Sequence, residues 1–154
     1  MLNQEPFKLH SIIRQKFVGY LEHLTPEQLA DIPYGFNNNI WWNIVHVVTT
    51  QQLLSYYLSD NEMLIDMAWV ENYKKGTAPN GDFPLPEEIA EIKNLLMSTQ
   101  QQLQIDYFDG KLNSFKTYSS SFGYTMNNIE DVILFNLTHE NMHLGTVMAM
   151  KKLV

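Results

Sequence analysis

The sequence predicts an all-α fold, a four-helix bundle, on three observations. Apolar residues recur at three- and four-residue steps in four separate stretches. Residues with capping chemistry stand where those stretches begin. Together the stretches cover more than half of the chain, against a base rate of roughly one third helix. Four amphipathic helices bury their stripes most simply against one another. At 154 residues the chain has the size of one ordinary domain, so a single domain over residues 1–154 is expected.

The first helix spans 7–24, with Leu9, Ile12, Ile13, Tyr20, Leu21 and Leu24 as its stripe and Lys8, Ser11, Gln15 and Glu22 on the other side. Thr25, Pro26 and Gln28 form the pattern of a capping box and open a short helical turn, which Pro33 and Gly35 end. The triplet Asn37 to Asn39 caps a second long helix, 39–59. Its β-branched run from Ile44 to Val48 is compatible with a strand, but the apolar pattern continues through Leu54 and Tyr57, beyond the usual strand length. Residues 60–85, with Gly76, Pro79, Gly81 and Pro84, read as a long connection holding one helical turn.

Pro86, Glu87 and Glu88 open the third helix, 86–107, because Pro suits the first turn and carboxylates complement the positive end of the helix dipole. The segment 108–126 reads as an ordered loop or a small hairpin. The final helix, 127–152, starts at Asn127 or Asn128, carries Glu130 and Asp131 in its first turn and ends on Lys151 and Lys152.

A net charge of −7 opposes binding to a phosphate backbone, so no nucleic-acid partner is expected. No stretch approaches the roughly 20 apolar residues of a membrane span, so no membrane partner is expected either. The start MLNQEPFK is polar where a signal peptide needs its apolar segment, and a cytoplasmic location is expected. Cysteine is absent, which excludes disulfides, thiolate metal sites and a cysteine nucleophile.

Any metal must therefore be held by His, Asp, Glu or Asn. His139 and His143 lie four residues apart in the last helix, so they share one face, and two imidazoles on that face can converge on one ion. Their neighbours are mostly apolar, which points the pair inward. Two buried neutral imidazoles need partners for their ring nitrogens, and a bound metal supplies them. His46, midway along the second helix, is the natural third ligand from a facing helix, although alone it reads more readily as a hydrogen-bonded core histidine than as a ligand. His10 and His23 read as surface residues of the first helix. Three neutral imidazoles leave a divalent ion an open position, the arrangement of a catalytic site. Zinc, nickel, iron and copper all accept such ligands.

His139-Glu140-Asn141-Met142-His143 also fits H-E-x-x-H, in which two helical histidines hold zinc and the Glu serves as general base in a metallopeptidase. Only 11 residues follow His143, and Ala149 stands where the extended motif requires a third His, so a third ligand must come from upstream.

The segment Leu24 to Leu29, the run Asn39-Ile40-Trp41-Trp42-Asn43-Ile44-Val45-His46 and His139-x-x-x-His143-Leu144-Gly145 resemble the DinB-like superfamily of metal-dependent enzymes, and the resemblance covers essentially the whole chain. It implies a four-helix bundle of up-down-down-up topology, which the long connection between helices 2 and 3 would permit. It implies a divalent metal (zinc, nickel or iron) on His46, His139 and His143, and a homodimer. It also implies a small-molecule substrate, with a low-molecular-weight thiol as cosubstrate in some members. Glu140 points about 100° away from His139. It is expected either on the surface, solvated or facing a dimer partner, or as a base beside a metal-bound water. Asn43 and Tyr124 are further candidates around the metal. The rival readings are a metallopeptidase and a noncatalytic bundle with a structural metal.

Overall fold

Side-chain caps start three of the helices where the sequence places them, at Thr25, Asn39 and Asn128. The computed structural model describes all 154 residues. Asn39 Oδ1 accepts from the backbone N–H of Trp42 at 2.7 Å, and Asn128 Oδ1 from that of Asp131 at 2.9 Å. Thr25 and Gln28 close a reciprocal capping box at 3.3 and 3.1 Å. The fold is mostly helical, with 62% of residues in helix. In chain order the helices are α1 (Glu5–His23), α2 (Pro26–Ala30), α3 (Ile40–Ser55), α4 (Met67–Tyr73), α5 (Pro86–Phe108) and α6 (Ile129–Met150). A two-residue hairpin, β1 (Tyr118–Ser119) antiparallel to β2 (Thr125–Met126), precedes α6.

Three differences from the sequence reading have physical causes. The second long helix ends at Ser55, because a 3-10 turn follows and Asp60 adopts a left-handed conformation with φ 60°. The connection holds a full short helix, α4, and two indoles attach it and the segment after it to α3: Trp41 Nε1–H donates to Tyr73 Oη at 2.7 Å and Trp42 Nε1–H to Thr77 Oγ1 at 3.0 Å. In α1 the buried face is Phe7, His10, Ile13, Arg14, Phe17 and Leu21, while Leu9 and Ile12 are exposed.

α1 packs against α5 and α6, and α3 against the same two helices. The core consists of two apolar clusters. One holds Ile13, Phe17, Ile44, Val48, Ile92, Leu96 and Val147; the other holds Phe7, Leu54, Leu103, Tyr107 and Val132. Along each long helix buried polar side chains lie between the two: His10 and Arg14 on α1, Thr49, Gln51 and Gln52 on α3, Thr99 and Gln100 on α5, and Asn136, His139 and Glu140 on α6. Arg14 is fully buried within it and donates to Glu140 of α6, to the Leu96 carbonyl of α5 at 3.3 Å and to the Val47 carbonyl of α3 at 3.5 Å. One guanidinium thus connects all four long helices, its five donors in a rigid fork suiting it to the task.

Candidate metal centre

Helix α3 contributes His46 and the facing helix α6 contributes His139 and His143. One ring nitrogen from each lies within 4.8 Å of the other two, and all three residues are buried. His139 Nε2 and His143 Nε2 are 3.1 Å apart. Two nitrogens bound to one tetrahedral ion at about 2.0–2.1 Å stand roughly 3.4 Å apart, so this pair is already spaced for a shared ion.

The hydrogen-bond network assigns the tautomers. Asn43 Nδ2 donates to the Asn39 carbonyl at 2.7 Å and to Asn38 Oδ1 at 2.8 Å, which turns Asn43 Oδ1 toward His143 Nδ1 at 2.7 Å. An amide oxygen only accepts, so His143 carries its proton on Nδ1. His46 Nδ1 likewise donates to the Tyr73 carbonyl at 2.7 Å. Both rings therefore present an Nε2 lone pair to the centre, as in metal sites where an outer acceptor fixes a ligating imidazole. His139 Nδ1 is buried without a partner. Thr50 Oγ1 sits 3.2 Å from His46 Nε2 and caps its lone pair.

Burial keeps the three rings neutral. It lowers the pKa of His46, and together with the neighbouring His46 it lowers His139 to about 4. Burial followed by His139 and His46 lowers His143 to about 3. At neutral pH no ring carries the second proton of an imidazolium, so an ion competes with no positive charge there; His139, which donates from Nε2 to His143 Nε2, binds an ion through that nitrogen once its proton moves to the unpartnered Nδ1. The Trp42 indole stacks on His46 at 4.5 Å and covers one of its faces.

Glu140, one position from His139, is on another side of α6 and is completely buried, so the expectation of a surface carboxylate is overturned. Its Oε2 accepts from Arg14 Nε at 2.7 Å; its Oε1 accepts from Arg14 Nη2 at 2.6 Å, from Asn136 Nδ2 at 2.7 Å and from His10 Nε2 at 2.9 Å. Burial alone raises a carboxyl pKa, but Arg14 and His10 outweigh it and hold Glu140 well below the usual carboxylate range. The match to H-E-x-x-H is thus literal in sequence while its carboxylate is committed to α1. His10, expected at the surface, is 2% exposed and belongs to the same network. His23 is exposed, its Nδ1 bonded to the Gly19 carbonyl at 2.7 Å near the helix end.

Asn43 touches a candidate ligand directly; Tyr124 does not. Tyr124 is exposed, stacks on Phe135 at 6.0 Å, and Phe135 in turn stacks on His139 at 6.2 Å. A cavity of about 260 Å³ opens beside the centre, with His46 and His139 in its wall. Sequence reasoning missed Arg14, Thr50 and the Tyr73 carbonyl. Only Arg14 left a signal: Phe7, His10, Arg14, Phe17 and Leu21 repeat at three and four residues, placing it on the inward stripe.

The fold and site define a class: a helical protein with a buried, neutral three-histidine cluster, competent to hold a divalent metal, between two packed helices. The chain matches the family model of the DinB superfamily over residues 10–147 and belongs to that superfamily. No curated protein matches it.

Proposed function

We propose that the protein is a metal-dependent enzyme that binds a divalent ion through His46, His139 and His143 and activates a low-molecular-weight thiol or a water toward a small-molecule substrate. The observation that carries this reading is the convergence of three uncharged imidazoles, two with their outer nitrogens tied to fixed acceptors, at the wall of a cavity. A divalent ion held by neutral ligands keeps its full charge and lowers the pKa of a water to about 7, or deprotonates a thiol outright.

The chain's own residues orient and enclose. Asn43 and the Tyr73 carbonyl hold two rings by their Nδ1–H groups, and Trp42 shields His46 from water. The Thr50 hydroxyl, released once His46 Nε2 is ligated, is left beside the cavity to bond an incoming group. Glu140 is assigned to architecture, its carboxylate filled by Arg14, Asn136 and His10, and this deprives the metallopeptidase reading of its base. With no cysteine in the chain, a reacting thiol must be a cosubstrate. Such thiols stay reduced in the cytoplasm, the location this reading favours. We read the chain as one domain, a four-helix bundle of up-down-down-up topology, working as a homodimer.

Elemental analysis of protein purified without an affinity tag tests the metal: one zinc, nickel or iron per chain is expected, and its loss in His143→Ala. Full metal content in that variant overturns the ligand assignment. The thiol role is tested by disappearance of a low-molecular-weight thiol with a chloronitrobenzene electrophile. It fails if the metal-loaded protein does not accelerate the reaction over free metal.

A further inference from the structure

The cavity beside the histidines has an uneven chemistry. Its inner wall is apolar, from Leu53, Leu54, Leu58 and Phe135. Its rim is polar: Lys75 follows α4, and Ser120 and Ser121 come from the turn joining β1 to β2. No carboxylate lines it, although the protein as a whole carries a net charge of −7. Lys75 is the one lysine or arginine in the lining and has no acidic partner, whereas its neighbour Lys74 is paired with Glu71.

We propose that this cavity binds a small monocarboxylic acid with an apolar body: carboxylate at Lys75 and the Ser120–Ser121 rim, body against the leucines and Phe135, and far end toward His46 and His139. The inference rests on the catalytic reading above only for what happens at that far end. A single ammonium is a point charge suited to one negative charge; a phosphate dianion calls for more cations than the rim holds. The volume, below the 300–1,000 Å³ of drug-sized pockets, limits the acid to a small one. Anchoring at Lys75 would present the reactive end of the acid to the histidine centre and so select acids by length.

Phenylbutyrate, its uncharged amide and phenylbutylamine serve as probes, titrated calorimetrically into the full chain with and without added zinc. The acid is expected to bind at least fivefold more tightly than the amide, and the amine not at all. Lys75 is exposed, so Lys75→Gln should fold normally, weaken the acid about fivefold and leave the amide unchanged. Leu53→Trp, which fills the cavity, should abolish binding of both. Equal binding of acid and amide, or an acid affinity indifferent to Lys75→Gln, overturns the proposal. Binding of the acid only with zinc and irrespective of Lys75 also overturns it, since the carboxylate would then be ligating the metal. Metal content on the same samples separates the two claims. Lys75-dependent acid binding by a chain that takes up no metal even from added zinc supports the pocket and overturns the catalytic reading.

Discussion

Arg14 and Glu140 form a two-point ion pair with no exposed atoms on either side chain: Nε to Oε2 at 2.7 Å and Nη2 to Oε1 at 2.6 Å. It joins α1 to α6 midway between two apolar clusters, one residue along from a candidate metal ligand. The pair fixes how far α6 can slide against α1, and with it the height at which His139 and His143 meet His46.

Breaking one side of this pair is costly, since it leaves a buried charge uncompensated. Glu140→Gln should lose about 3–5 kcal/mol of stability, and Arg14→Met a similar amount. The double variant Arg14→Met/Glu140→Leu removes both charges and should recover much of the loss, as apolar replacements of buried ion pairs often do. Urea unfolding of the four proteins decides it. Additive single losses would show that the pair is not a coupled unit.

Metal should stabilise the fold through the three histidines alone. An ion present at a thousandfold its Kd adds about 4 kcal/mol by mass action, a rise in melting temperature of roughly 10 °C at this chain length. His46→Ala, His139→Ala and His143→Ala should each remove that rise, while His23→Ala, remote and exposed, should keep it. Thermal melts with and without a chelator measure the difference.

Much of this was legible in the sequence, and the failures share one cause. The caps at Thr25, Asn39 and Asn128 mark helix starts because short polar side chains bond orphan N–H groups locally, without tertiary context. The pair His139 and His143 is visible because helical spacing alone puts both on one face. Glu140 and His10 were misplaced on the assumption that one side of a helix is buried and the other wet. Helix α6 packs against both α3 and α1, so it buries two sides: one carries the histidines, the next Glu140. On α1, Leu9 and Ile12 drew the stripe toward solvent because polar residues occupy the inward positions. The Tyr73 carbonyl left no trace, since every residue has a carbonyl and only the docking of α4 makes this one matter.

Acid should destabilise the metal-free protein over a defined window. Burial holds His139 near 4 and His143 near 3 and also lowers His46. Unfolded histidine titrates near 6.5. Above that value neither state takes up a proton and pH has no effect; below it the unfolded chain protonates while the folded one stays neutral, so stability falls as pH drops. At pH 4.5 the loss should reach about 2–3 kcal/mol for each of His139 and His143, with His46 adding in the same direction. Glu140 adds to it further down: its depressed pKa contributes stability above the ordinary carboxyl value, and this is lost as pH falls through the folded value. Urea midpoints between pH 7.5 and 4.5, with chelator present, measure the slope. His139→Asn should flatten it, and an unchanged slope would remove that ring from the account.

Asn43 offers the sharpest separation of metal binding from folding. Its Oδ1 is the only acceptor for His143 Nδ1–H, and its Nδ2 is satisfied by Asn38 and the Asn39 carbonyl, so the amide is held facing one way. Replacing it with Leu keeps the approximate volume but leaves the imidazole free to rotate or to exchange tautomers. Loss of such an outer partner typically costs ten- to a hundredfold in metal affinity. Asn43→Leu should therefore weaken zinc by that factor, read by competition with a chromophoric chelator. Asn43→Asp restores an acceptor and should recover the affinity, whereas a purely structural Asn43 would leave metal affinity unmoved in both variants and change only the melting temperature.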